Sequence, residues 1–267
     1  MTKINPIIKP VIETFQTVYY QTLMFAQNPQ SAINGLLVQG DAGTGKSHFV
    51  KTALRDAKVQ KNVEYIKGGT VTAASLYVKL FLNRGSERII VLDDVDIIGH
   101  SERNKIIPMI LGASEEGRNR LVTWNTAKKN SLMEEYGAGF EFEFNGNIIF
   151  ITNYTKEDIR AKAKQWAAAF NSRFTPVECI FNHEQKYMYT KYLVEEKDML
   201  GDNCLVHTYD DNNGYPQTVI DEAMSFIDDN YLNFSDITPR VAVKVADTIY
   251  YNEDQDMKRV MLSNLVK

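Results

Sequence analysis

The sequence predicts an α/β protein in which a parallel sheet is followed by a small helical domain. Short apolar runs alternate with helical stretches through the first two thirds of the chain, the rhythm of βα units. Those runs are almost continuously apolar, as strands covered on both faces are. After Phe181 the runs cease and helical patterns take over. A length of 267 residues suits one large domain or a main domain with an appendage, and 44% hydrophobic residues can build a sizeable core.

The elements follow in order. Residues 11–27 form a helix ended by Asn28-Pro29. The first strand is 35–39 (GLLVQ). A helix over 47–58 comes next, because Val50, Ala53, Leu54 and Ala57 share one helical face. Residues 63–66 (VEYI) and 88–92 (RIIVL) are the second and third strands, with a helix over 72–83 between them and another over 102–114 after them. An insertion near 118–145 holds two extended pieces, 121–124 and 140–144. Phe140, Phe142 and Phe144 alternate there with Glu141 and Glu143, and that period of two predicts a half-buried hairpin. Residues 147–152 (NIIFIT) and 177–181 (VECIF) complete five candidate strands. Helices over 183–200, 216–230, 239–252 and 254–266 make the second domain, punctuated by the polar loop 210–214 and by Ser235-Asp236. The division expected is 1–177 and 178–267, with the last strand at the boundary.

Charge and cysteine usage narrow the class. A net charge of −4 opposes a strong general nucleic-acid binder. The charge is uneven, however: residues 1–177 carry 22 Lys/Arg against 17 Asp/Glu, and residues 178–267 carry 8 against 17. Two units with different surfaces would give that asymmetry, and so would ordinary solvated helix faces. Cys179 and Cys204 make neither a disulfide framework nor a metal site. No apolar run approaches the roughly 20 residues of a membrane span. The N-terminal segment lacks a signal-peptide cleavage site, so an intracellular protein with no membrane partner is expected.

The chemistry concentrates at strand ends. Gly40-Asp41-Ala42-Gly43-Thr44-Gly45-Lys46-Ser47 matches GxxxxGK[ST] between an apolar strand and a helix, the context that motif requires. Its glycines turn backbone N–H groups toward phosphate oxygens, and the helix N-terminus adds its positive end. Lys46 can reach the β- and γ-phosphates, Ser47 can ligate Mg²⁺, and the adjacent His48 is counted with the phosphate-binding residues. The third strand delivers Asp93 and Asp94 to the sheet's carboxyl edge. Asp93 is the expected metal ligand beside Ser47, and Asp94 would orient or deprotonate water. Asp96 reads as structural. Asn153 ends the fourth strand and could position water, although an Asn there is also a common turn residue.

These motifs resemble those of the AAA+ ATPases: a Walker A at 40–47, a Walker B at 89–94 and a strand ending in Asn153. Ala169-Phe170-Asn171-Ser172-Arg173-Phe174 is similar to the SRF box that carries an arginine finger. Ile237-Thr238-Pro239-Arg240 resembles the start of the lid helix that carries the sensor-2 arginine. The resemblance spans roughly 35 to 252 and implies a five-stranded αβα sandwich with a small α-helical lid. It also implies ATP and Mg²⁺ as cofactors and a homo-oligomer, in ring form, with Arg173 acting in trans and Arg240 in cis. ATP hydrolysis would drive remodelling of a macromolecular client.

Three features depart from the family pattern. Asp94 stands where most relatives have Glu. The aromatic pore loop is not recognisable, and Tyr77 is expected to pack inside its helix with Leu76, Leu80 and Phe81. The hairpin lies where one AAA+ branch projects a hairpin toward its pore, and Trp124 among Arg118, Arg120, Lys128 and Lys129 could grip DNA by charge and stacking. A surface hairpin with solvated tips is the alternative. Nucleic acid or a nucleoprotein complex is therefore the favoured client, in DNA replication or recombination. A slow ATP-binding switch or loader, or a protein-remodelling chaperone, are the competing readings. RLVTW and FEFNGNIIFITN resemble small bacteriophage AAA+ proteins, which would place the chain in host cytoplasm.

Overall fold

The computed structural model describes residues 4–28, 34–117, 120–201 and 214–266. Pro29, Arg118, Cys204 and most of the polar loop, 210–213, lie outside them. By their contacts the residues form two units, one of Met1–Glu13, Gly43–Gly45 and Phe181–Lys267, the other of Thr14–Ala42 and Lys46–Ile180.

The larger unit is built on five parallel strands. In chain order the elements of its first half are α1 (Lys9–Gln27), β1 (Gly35–Gly40), α2 (Lys46–Asp56), β2 (Val63–Lys67), α3 (Ala73–Leu82), β3 (Ile89–Asp93) and α4 (Arg103–Ala113). The insertion follows as β4 (Arg120–Thr123), α5 (Ser131–Glu135) and β5 (Glu141–Phe144). Then come β6 (Asn147–Thr152), α6 (Lys156–Lys162), α7 (Lys164–Arg173) and β7 (Thr175–Cys179). The strand order is β2-β3-β6-β1-β7. Every residue of β1, β3 and β6 is buried, which is why these strands read as unbroken apolar runs.

Helix α1 begins two residues earlier than the apolar pattern suggests. Pro10 fits the first turn of a helix, where its missing N–H has no partner to lose. Val11, Phe15, Val18, Thr22 and Phe25 then form one fully buried stripe. The last strand also differs from expectation, occupying Thr175–Cys179 rather than 177–181. Its pairing with β1 runs from Leu36↔Thr175 to Gly40↔Cys179. Pro176 is tolerated because β7 is an edge strand that pairs with β1 alone.

The insertion is an antiparallel hairpin of β4 and β5 with α5 in its loop. Its period-two face holds only in part: Phe142 and Phe144 are buried, but Phe140 is 45% exposed. Tyr77 of α3 is fully buried and meets Trp124 and Phe142 at ring-centroid distances of 5.3 and 5.0 Å. Its hydroxyl donates to the Gly139 carbonyl at 2.9 Å. The hairpin is thus fastened to the sheet domain by an aromatic cluster.

The helical unit contains α8 (His183–Glu195), α9 (Gln217–Asn230), α10 (Pro239–Tyr251) and α11 (Gln255–Leu265). Ile220, Ala223, Met224 and Ile227 of α9 and Ala242, Val245, Ala246 and Ile249 of α10 are its core. Both sets repeat at i, i+3, i+4, i+7, the stripe of a helix with one buried face.

Candidate functional site

The site begins with a backbone that only glycine can follow. Gly40 has φ +127°, and a Cβ there would stand 2.3 Å from the Cys179 carbonyl oxygen of β7. The next amide, from Asp41, donates to that same oxygen at 3.1 Å. Edge strand β7 therefore anchors the start of the loop. Gly43 (φ +74°) passes close to Thr238, whose Oγ1 lies 3.0 Å from where a Cβ would stand.

Lys46 opens α2 and is only 5% exposed. Its ammonium donates to three acceptors: the carbonyls of Gly40 (2.8 Å) and Asp41 (2.6 Å) and Oδ1 of Asn153 (3.0 Å). Burial pulls its pKa below the ordinary lysine value, although Asp41, Asp94 and Asp93 oppose that shift. Cys179, also buried, is pushed up to about 12 by loss of solvent, so its thiol stays protonated and inert.

Sheet order places Asn153 between the other two groups. Strand β6 lies between β1 and β3, with Gln39 opposite Thr152 and Asp93 opposite Ile151. Asn153 therefore emerges between the loop and the acids, accepting from Lys46 through Oδ1 and donating through Nδ2 to Asp94 Oδ1 at 2.7 Å. Asp94 is exposed and adopts φ +57°, a left-handed conformation that turns the chain out of the strand. Asp96 accepts from the Gly99 amide and the Tyr154 hydroxyl, a structural role as its sequence position suggested.

Asp93 is 3% exposed. Its Oδ1 accepts from the Ser47 hydroxyl at 2.6 Å and its Oδ2 from the Tyr65 hydroxyl at 2.6 Å. Burial, reinforced by the bond to Asp93, raises the Tyr65 pKa well above the ordinary tyrosine value, so the phenol remains a donor. Among the described residues no three His, Cys, Asp or Glu side chains cluster as a metal site. Mg²⁺ needs none beside a phosphate chain: it takes one or two hard protein oxygens and fills the rest with phosphate and water. Ser47 and Asp93 are such oxygens.

The structure thus gathers Lys46, Ser47, Asp93, Asp94 and Asn153. Thr44 is buried, whereas Ala42 is exposed and His48 turns its ring edge onto Phe49 at 5.4 Å. Arg173 ends α7 and pairs with Glu115 at 3.3 Å. Arg240 is exposed in the first turn of α10, within the helical unit. Tyr65 is the residue that the sequence did not single out, because its role depends on strand pairing.

Of the two readings of the hairpin, a grip on DNA and a surface hairpin with solvated tips, the first loses two of its residues, Trp124 and Arg120, to burial. Trp124 is 9% exposed and packed on Tyr77, so neither face is available to stack on a base. Arg120 is 4% exposed and donates to the Phe144 and Gly146 carbonyls at 3.1 and 2.5 Å. Burial lowers its pKa to about 10. Lys129 lies over the Phe140 ring at 5.5 Å, and Lys128 is exposed.

No family model matches the chain. The AMPPCP-bound DnaA of Aquifex aeolicus superposes with a TM-score of 0.50 at 15% identity, over 98% of this chain and 70% of that one. A P216G mutant of Thermotoga maritima RuvB gives 0.50 at 11% identity, over 95% and 70%. This is the AAA+ fold. At such identities the likeness establishes the fold and nothing finer. In sequence the chain is 35% identical over 122 residues to an uncharacterized 36.7 kDa protein from the nrdC–mobD intergenic region of Enterobacteria phage T4. That stretch is 45% of this chain and spans about a third (36%) of the relative's length. Among the described residues no helix is long and apolar enough to cross a membrane.

Proposed function

We propose that this AAA+ module is a Mg²⁺-dependent ATPase, works as an oligomer and acts on nucleic acid. The observation that carries the reading is the hydrogen-bonded assembly of Lys46, Asn153 and Asp94 beside Ser47 and Asp93. Lys46 would exchange its carbonyl acceptors for β- and γ-phosphate oxygens. Ser47 and Asp93 would hold the metal. Bound there, the metal would supply positive charge to offset the negative charge that develops on the phosphates. Asp94, held by Asn153, orients the attacking water and accepts its proton as the γ-phosphoryl group leaves ADP. Arg173, delivered from a neighbouring subunit, would stabilise charge on the transferred group, and Arg240 would couple the helical unit to the nucleotide.

For the client, a cleft of about 720 Å³ supports nucleic acid better than the hairpin does. Arg103, Lys162, Lys164, Asn104, Gln165 and Trp166 line it, a set that combines cations with an indole. A host-cytoplasm location is consistent with the phage relative.

The test is a purified-protein ATPase assay with and without Mg²⁺ and single-stranded DNA at several salt concentrations. The reading expects Mg²⁺-dependent turnover that is abolished in Lys46→Ala, with DNA stimulation that fades as salt rises. Turnover that persists in Lys46→Ala would overturn the site assignment. Tight ATP retention with no DNA effect would favour a slow switch.

A further inference from the structure

We propose that Tyr65 is a positioning residue for the metal-binding carboxylate: its hydroxyl holds Asp93 so that Oδ1 stays turned toward Ser47. The inference rests on the Mg²⁺–nucleotide reading above and adds a residue to it.

The geometry follows from strand register. Parallel pairing of β2 with β3 sets Tyr65 opposite Val91 and Lys67 opposite Asp93. Side chains alternate between faces along a strand, so Tyr65 and Asp93 project from the same face, diagonally related. The gap between diagonal neighbours is too wide for a short side chain, and the length of the phenol spans it. The resulting contact, 2.6 Å from hydroxyl to Oδ2, is as short as hydrogen bonds to ionised acceptors are.

Rotation of the Asp93 carboxylate about its last bond is soft, because such sp³–sp² torsions are broad. One donor on one oxygen would leave that freedom largely intact. Asp93 has one donor on each oxygen, Ser47 on Oδ1 and Tyr65 on Oδ2, and at 3% exposure little solvent can replace either. Ser47 is itself a candidate metal ligand, so its hydrogen bond can change when a metal binds. Tyr65 is not a candidate ligand and can remain as the fixed donor. The Lys51 ammonium, 4.8 Å from the centre of the Tyr65 ring, packs on the ring and helps to hold it. Partners that orient a metal ligand in this way commonly set affinity as strongly as some ligands do.

Tyr65→Phe removes the hydroxyl and keeps the ring, and Tyr65→Leu removes both. The probes are Mn²⁺, followed by electron paramagnetic resonance in the presence of a non-hydrolysable ATP analogue, and a fluorescent ATP analogue in EDTA. For Tyr65→Phe, Mn²⁺ affinity is expected to fall about 10–100-fold, with metal-free nucleotide affinity within about twofold of wild type and an intact cooperative thermal transition. Tyr65→Leu is expected to lose metal at least as strongly. Wild-type Mn²⁺ affinity in Tyr65→Phe would overturn the proposal, including the case in which Tyr65→Leu alone loses metal, because the ring would then be responsible. Equal loss of metal-dependent and metal-free binding would also overturn it, by showing a general structural role. If wild-type protein itself fails to take up Mn²⁺ with nucleotide, the ATPase reading falls, and this inference with it.

Discussion

Lys46 carries a buried positive charge whose three acceptors are two carbonyls and an amide oxygen, none of them an anion. Burial therefore lowers its pKa, and triphosphate would raise it again by supplying negative charge. Binding takes up a proton in the window between the nucleotide-free and nucleotide-bound values. ATP affinity should accordingly hold steady at neutral pH and fall as pH rises through the lowered Lys46 value. Calorimetric titrations in buffers of different ionisation enthalpy, at neutral and alkaline pH, will detect that proton, and Lys46→Met should remove it. Gly40 makes a sterner demand at the same scale. Gly40→Ala sets a methyl group 2.3 Å from the Cys179 carbonyl at a φ of +127°. A loss of more than about 3 kcal/mol is expected, read as a lowered midpoint in denaturant, because strain and overlap act together.

At the scale of elements, burial of Trp124 and Arg120 gives the hairpin a packing role and weakens the reading of it as a grip on DNA. Its apolar alternation was legible, and so was its antiparallel pairing as a hairpin. Which face Trp124 occupied was not, because that depends on α3 presenting Tyr77 and on the Gly139 carbonyl accepting its hydroxyl. Trp124→Ala should cost about 3–5 kcal/mol, as loss of a buried aromatic side chain does, and should lower the thermal midpoint by roughly 10 °C. Below that midpoint, DNA affinity measured by fluorescence anisotropy should be unchanged. A selective loss of DNA binding in a stable variant would restore the gripping role. The helices of the C-terminal unit were more legible than the hairpin. Their i, i+3, i+4, i+7 stripes record burial on one face without reference to any partner. The last strand was displaced by two residues because apolar character continues through Phe181, whereas pairing stops where β1 does, at Gly40↔Cys179.

For the whole molecule, the proposed oligomer makes Arg173 the residue to test. Within one chain it pairs with Glu115 at 3.3 Å on a partly exposed surface, a contact worth no more than about 1 kcal/mol. If that pairing is its entire role, Arg173→Ala and Glu115→Ala should have equally small effects on the denaturation midpoint and none on turnover. If Arg173 acts across subunits, Arg173→Ala alone should lose about 10³-fold or more in ATPase rate, and Glu115→Ala should keep its activity. Mixing Arg173→Ala with Lys46→Ala protein should then restore partial activity, because some mixed interfaces pair an intact loop with an intact arginine. Size-exclusion chromatography with light scattering, with and without ATP, will show whether such interfaces form.

The chain alone determined the alternating sheet architecture, the glycine-rich loop between the first strand and its helix, the acids at the end of the third strand and the asparagine at the end of the fourth. These are local facts, since each depends on a few consecutive residues whose spacing sets both backbone path and chemistry. Tertiary structure decided that the asparagine lies between lysine and acid, that Tyr65 meets Asp93, and that Trp124 is buried. Those outcomes depend on which strands are neighbours and in what register, and pairing between segments far apart in sequence is settled by burial of the whole core.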